Sequence, residues 1–477
     1  MKNINFILIV LMSLGFFSCS EDVMQRINEN PNNPTDVASK LIITDIINST
    51  SYNVTGSDFA LYASVYVEYN VGVWNQMYNA EIRTTDPVSS TTYNNPWGNV
   101  YSNLLNLKTI IAKCSPEGTE PDNTTVLGMA QILSAYNLAV LTDLMGDTPW
   151  TEACQPGVFW TPKLDSQQSI YEAVNQFLTD GIANLQKTTA VPAIGTQDII
   201  YGGKAASWLK FAYGLKARYA MRLSKIKPDY NAVIDAANKS FASKSEEAIF
   251  KSASVKNPFQ QFFAERDYFG ASQSLHDKLT ERKDPRDAKF FKAYPGSSEL
   301  IFAPNGSPMQ IQKYYGISAQ ATSIATIPIY LMSYHELEFL KAEAYARNND
   351  IENAKAHLKI AVTTAFTNAG LKASDATDYF TSSIEPKLTD QTETIKEIML
   401  QKYLGLFEGE AIETYNDIRR LRAMGQGDFV PLANPGKFPL RYTYGNDDVT
   451  TNVNVKNAFG DGSYVYTENV WWAGGTR

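Results

Sequence analysis

One stretch, ELEFLKAEAYARNNDIENAKAHLKIAVTTAF at Glu336–Phe366, constrains the fold more than any other. Leu337, Leu340, Ala344 and Tyr345 recur at three- and four-residue spacing, which marks one apolar face of a helix. Asn348-Asn349-Asp350 interrupts that face, and Ala354, Leu358, Ala361 and Val362 build a second one. Two short helices with small residues on facing sides cannot bury those sides alone. They need each other, and they need further pairs stacked on them. The unit reads as a tetratricopeptide-like helix pair, so the chain is expected to be mostly α-helical.

Three more pairs fit the same pattern: Trp97 to Cys114 with Val126 to Met145, Gln167 to Gln186 with Lys204 to Leu223, and Glu393 to Tyr403 with Glu410 to Met424. Two regions have another character. Residues 251–332 are rich in Pro, Gly and aromatics, and residues 426–477 mix turns with alternating runs such as SYVYTENVWW. Both read as an irregular, loop-rich lobe with a few short strands, resting on the helices. In repeat proteins such insertions gather on one face and carry binding.

The N-terminus reads as an export signal. Lys2 precedes a 12-residue apolar run from Phe6 to Phe17, too short to span a bilayer, and Ser18-Cys19 follows. Residues 1–18 form the signal, leaving 19–477 as a single mature domain. Cys19 is either an acylated anchor or incidental to ordinary secretory cleavage. Two or three acyl chains would hold the protein on a membrane stably. Beyond Cys19 there remain Cys114 and Cys154. If the first two helices are antiparallel, these sit at opposite ends of the pair, roughly 25 Å apart, too far for a disulfide.

Charge narrows the partners. A net charge of −8 argues against nucleic acid, whose binding rests on neutralising phosphates. The 27 Tyr and 7 Trp are more suggestive, since rings with a polar edge suit half-wet surfaces.

Several motifs occur in a fixed order: NENPNNPTDV (Asn28–Val37), LMGDTPWTEA (Leu144–Ala153), YGGKAASWLKFAYGLKARYAMRLS (Tyr201–Ser224), KDPR (Lys283–Arg286), the AEAY helix, and FPLRYTYGNDDVTTNVN (Phe438–Asn454). Together they resemble the SusD/RagB family of nutrient-binding outer-membrane lipoproteins, over essentially the whole mature chain. The resemblance implies a right-handed superhelical scaffold of about four tetratricopeptide-like pairs. It implies acylation at Cys19 and a place on the outer face of the outer membrane, over a SusC-like TonB-dependent transporter. There the protein acts as a hinged lid that captures an oligosaccharide, or, as the alternative, a peptide. The motifs themselves read as structural: Gly146 and Pro149 as a helix stop and turn, Asp284 and Arg286 as partners within a turn.

A sugar site needs an aromatic platform beside fixed hydrogen-bonding groups. Residues 65–97 supply both: Tyr69, Trp74, Tyr78 and Tyr93, interleaved with Asn75, Gln76, Asn79 and Arg83. The resemblance points to the same window, with Trp74 and Arg83 foremost. Trp97 instead joins Tyr101 and Leu104 on one helix face and reads as core. A second window, FFAERDYFGASQ, crowds Arg266, Asp267, Tyr268 and Phe269 together, and Tyr314 and Tyr315 are fainter candidates.

Catalytic apparatus is not apparent. HELEF at His335 has Phe339 where a zinc protease needs its second histidine. GASQS at Gly270–Ser274 starts like a nucleophile elbow but lacks the final glycine and shows no strand-to-helix context. No phosphate-binding glycine loop, ordered calcium loop or clustered metal ligands occur, so no cofactor is expected. The chain is expected to bind without catalysing.

Overall fold

The computed structural model describes residues 36–83, 91–252, 255–323, 326–407 and 409–477. Cys19, the signal segment and most of the NENPNNPTDV motif lie outside the described residues.

The Glu336–Phe366 helix pair forms as its sequence dictates. Ser333 caps the helix Tyr334–Arg347 by accepting the Glu336 N–H at 3.0 Å. The chain reverses through Asn349 at φ 62°, and Asp350 caps Ile351–Asn368 by accepting the Asn353 N–H at 3.2 Å. Ala342, Ala344, Ala354 and Ala361 are fully buried between the two. Their small side chains let the backbones approach.

The other expected helices are present as Asn94–Cys114, Thr124–Met145, Gln167–Leu185, Ala205–Arg222, Gln391–Gly405 and Ala411–Ala423. Successive helices pack side by side from Asn94 to Arg222, and Gln391–Gly405 returns onto the Tyr334–Asn368 pair. The last pair departs from simple antiparallel packing: Ala411–Ala423 lies chiefly against Asp58–Tyr66. Thr124–Met145 is long and apolar enough to cross a membrane, yet it is buried from Val126 to Met145 as the scaffold's central helix. Its crossing with Gln167–Leu185 is set by glycines. A Cβ on Gly128 would lie 2.9 Å from the Gly181 carbonyl oxygen and 2.7 Å from Leu185.

Buried ion pairs knit the helices together. Arg218 grips Glu336 with two bonds, Nε to Oε1 at 2.9 Å and Nη2 to Oε2 at 2.5 Å. Arg222 reaches Asp143 at 3.1 Å and also pairs with Glu413. Arg420 forks onto Glu343 with both bonds at 2.7 Å and meets Asp417, which Lys402 contacts at 2.7 Å. Burial opposes the charge on Glu343, but Arg420 and Arg347 hold its carboxyl down to about 2.

The ordered motifs act as staples. Arg286 is fully buried, chelates Asp284, donates to Gln401 at 2.8 Å and lies 4.7 Å from the Phe366 ring centroid. Gly146 stands at φ 82°, and a Cβ there would strike the Arg441 guanidinium at 1.8 Å. That guanidinium donates to the Met145 carbonyl at 2.6 Å, while Tyr444 donates to the Asp147 carbonyl at 2.9 Å. The GDTPW and FPLRYTYG segments are thus one joint.

Residues 251–332 carry short helices and strands that enter three of the molecule's two-stranded antiparallel pairings, with Asn70–Gly72, with Ala248–Phe250 and within the lobe itself. Residues 426–477 hold short helices and turns, with no strand among the described residues. The SYVYTENVWW run is helical at Ser463–Tyr466 and Trp471–Ala473. Its alternation came from rings that turn inward singly, Tyr464 and Trp472, and not from a pleat. Cys114 and Cys154 are free thiols.

Candidate ligand-binding site

After the helix Asp58–Tyr66 the chain makes a three-residue strand, Asn70–Gly72, and folds straight back into the helix Asn75–Ile82. Gly72 permits this: a Cβ there would lie 1.7 Å from the Met77 carbonyl oxygen. Trp74 at the bend is 50% exposed, on a scaffold where most rings are buried. Asn75 and Asn79 are exposed and Tyr78 is half-buried.

The strand pairs antiparallel with Phe269–Ala271 in the register Asn70 to Ala271 and Gly72 to Phe269. That pairing carries Tyr268 to the bend, where its hydroxyl oxygen accepts from Asn75 Nδ2 at 3.1 Å. The two sequence windows therefore meet. Pro308 and Gln310 close the opposite side, and Tyr78 donates its hydroxyl proton to the Pro308 carbonyl at 3.0 Å. The result is a surface cleft of about 460 Å³ between Trp74, Asn75, Tyr78 and Asn79 on one wall and Pro308 and Gln310 on the other. Beneath it Val71, Val73, Ala303 and Tyr315 form a small separate core. The lobe displays further apolar groups in the same region of sequence, Met309, Ile311 and Tyr314.

Trp74, Asn75 and Tyr78 thus line one cleft, and Tyr268 supports it through Asn75. Arg266 does not; it lines a separate recess of about 240 Å³ with Asp267, Tyr294 and Ile317. Three expected contacts are corrected by their burial. Tyr69 is fully buried against Tyr403 and Phe407, donating to the Tyr403 carbonyl at 2.5 Å. Tyr93 is stacked on Tyr442 at 4.4 Å inside an aromatic core that includes Phe59 and Tyr62. Arg83 ends the Asn75–Ile82 helix at φ 55° and turns inward. Its guanidinium donates to the Tyr66 and Gly436 carbonyls at 3.3 Å each and lies 5.7 Å from the Phe438 ring centroid. It anchors the back of the bend and does not face the cleft. Tyr315 is buried as well, whereas Tyr314 is exposed.

The sequence reading missed the Pro308–Gln310 wall, for which no aromatic or charge signal exists. It also missed the turn Val158-Phe159-Trp160, whose Trp160 is 84% exposed. Three consecutive apolar residues between Pro-Gly and Thr-Pro were the available signal.

The rejected catalytic motifs have structural roles. His335 is buried between the Gly405 carbonyl and Asn368, and burial pushes it down to about 3, so it is neutral. GASQS does join a strand to a helix, contrary to the sequence expectation. Ser272 there is the fully buried cap of Gln273–Glu281, accepting the Leu275 N–H at 3.2 Å. Nearby His276 pairs with Asp287 at 2.8 Å and stacks on Phe302. Among the described residues no group of three potential metal ligands gathers.

Fold and cleft together define a helical-repeat scaffold that offers a loop-built binding surface. The SusD-like family profile, described as starch-binding and associating with outer membrane, matches residues 31–444, and the chain belongs to that family. A SusD/RagB family protein of Bacteroides thetaiotaomicron VPI-5482 is 42% identical, covers 93% of this chain and 100% of its own, and superposes with a TM-score of 0.83. A chitin-binding protein shares the fold at 21% identity and TM-score 0.73, over 91% of this chain and 100% of its own. A SusD-like protein of Bacteroides thetaiotaomicron VPI-5482 does so at 18% identity and TM-score 0.73, over 91% and 98%. No match occurs among curated proteins.

Proposed function

We propose that this chain is a cell-surface nutrient-binding protein that captures an oligosaccharide in the cleft between Trp74 and Gln310. It delivers that cargo to a TonB-dependent outer-membrane transporter, over whose mouth it acts as a lid. Residues 19–477 form one body, tethered by lipid at Cys19 to the outer membrane and facing the exterior.

The observation that carries this reading is the half-exposed Trp74 ring beside the amides of Asn75, Asn79 and Gln310. A pyranose offers C–H groups on one face and hydroxyls around its edge. An indole face meets the first, and side-chain amides, each both donor and acceptor, meet the second. The family's description as starch-binding and the chitin-binding neighbour favour glycan over peptide cargo. The protein acts by binding, with cleavage left to other proteins.

The test is calorimetry of the purified protein against starch-derived, chitin-derived and peptide ligands, with Trp74→Ala alongside. Oligosaccharide binding that the substitution abolishes is the expected result. Peptide binding alone, or release of shorter sugars from the ligand, would overturn the reading. Replacing Cys19 with Ala should move the protein from the membrane fraction to the soluble one, still folded.

A further inference from the structure

Three segments that frame the cleft meet at one buried carboxylate. Glu81 lies in the last turn of Asn75–Ile82, on the helix that presents Asn75, Tyr78 and Asn79, and it is fully buried. Its Oε2 accepts from the Gly72 N–H at 3.3 Å. Its Oε1 accepts from the Gly306 N–H at 2.5 Å and from Asn434 Nδ2 at 3.2 Å. Gly306 opens the loop whose Pro308 and Gln310 stand opposite Trp74, so this wall is tied to the helix at two points, Glu81 and the Tyr78 hydroxyl. Two charged groups face Glu81. Arg83 follows it on the same helix, and Glu68, just ahead of the Asn70–Gly72 strand, holds the Ala433 and Asn434 N–H groups at 2.8 and 2.6 Å.

We propose that Glu81 is a positioning residue whose ionised carboxylate holds the 306–310 wall at the width the ligand needs, and whose protonation releases that wall and lowers cargo affinity. The inference rests on the reading of the cleft as an oligosaccharide site. An ionised carboxylate is acceptor-only and suits three N–H partners. A protonated one turns one oxygen into a donor, and its three partners are all donors. Burial, reinforced by Glu68, pushes Glu81 up to about 7 against the pull of Gly306, Arg83 and Gly72. If only the ionised form is competent, affinity follows the ionised fraction and falls about tenfold from pH 8 to pH 6.

The experiment uses maltoheptaose and chitohexaose as probes, titrated into the wild type, Glu81→Gln and Tyr78→Phe between pH 5.5 and 8.5. Hydrogen exchange across residues 304–310 is followed over the same range and corrected for intrinsic rate. The wild type should lose affinity and exchange protection together as pH falls. Glu81→Gln should bind weakly at all pH values without a step, and Tyr78→Phe should weaken binding while keeping the step. Sugar binding and exchange that are both flat with pH in the wild type would overturn the role of Glu81 and leave the proposed function standing. An exchange step with neither sugar bound at any pH would remove these two cargo classes and leave the clamp standing. Should Glu81→Gln fail to fold, the wild-type exchange profile still decides.

Discussion

The interior of the helical scaffold and the cleft face are built on opposite principles. Between the helices, charges are buried and matched: Arg218 on Glu336, Arg222 on Asp143, Arg420 on Glu343. At the cleft, three-residue strands and loops hold a half-exposed indole and the exposed amides of Asn75 and Asn79 against water. The scaffold spends its polar groups on itself. The cleft turns amide edges and an indole face outward. A residue's partners therefore indicate which task it serves, and substitutions should separate stability from binding accordingly.

Removing a buried cation should have the largest effect. Arg218→Met leaves Glu336 and neighbouring Glu410 uncompensated in the interior and should cost about 3–5 kcal/mol in urea unfolding. The affinity of the molecules that remain folded should be unchanged. Loss of affinity at full stability would break the comparison.

Acid should unlock the same interior. The Glu343 carboxyl is held at about 2, below its unfolded value of 4.5, so the folded state binds that proton less readily than the unfolded chain. Its contribution is fully present above about pH 4.5 and is lost as pH falls toward 2. It amounts to on the order of 3 kcal/mol. Unfolding free energies measured from pH 5 to pH 2.5 should fall less steeply in Glu343→Gln than in the wild type.

On the cleft face the loss falls on affinity instead of stability. Trp74→Ala should weaken oligosaccharide binding by about 2 kcal/mol, roughly thirtyfold, as expected for an aromatic anchor. Stability should change by no more than about 0.5 kcal/mol, because the ring is half exposed. The smallest effect is expected for Tyr268→Phe, which removes the acceptor of Asn75 Nδ2. About 1 kcal/mol of affinity should be lost, and crystals of the variant should show Asn75 reoriented.

The scaffold was legible because its signals are local. Spacing of Leu337, Leu340 and Ala344 marks a face, and Ser333 and Asp350 mark helix starts, within a few residues of each other. Even there the neighbour of Ala411–Ala423 was not visible, since a repeat pattern does not say which earlier helix returns to fill a gap. The cleft was legible only as a set of residue types. Trp74, Asn75, Tyr78 and Tyr268 were named, but their meeting depends on a three-residue strand pairing with no periodicity to announce it. For the same reason Tyr69, Tyr93 and Arg83 were misplaced. Outside helices and long strands, nothing in the order of residues tells an inward ring from an outward one. Arg83 adds a further lesson: its left-handed backbone turns the guanidinium onto carbonyls that sequence cannot locate.

The grip of Glu81 has a consequence for when the protein becomes useful. Its partners lie 9, 225 and 353 positions away along the chain. Contacts of such separation form after local helices do. A chain emerging end first would hold most of its helices while still lacking a finished cleft, and would acquire one only when the C-terminal segment docks. On the proposed function, the ability to hold cargo would then be acquired late in folding, once Asn434 has reached Glu81.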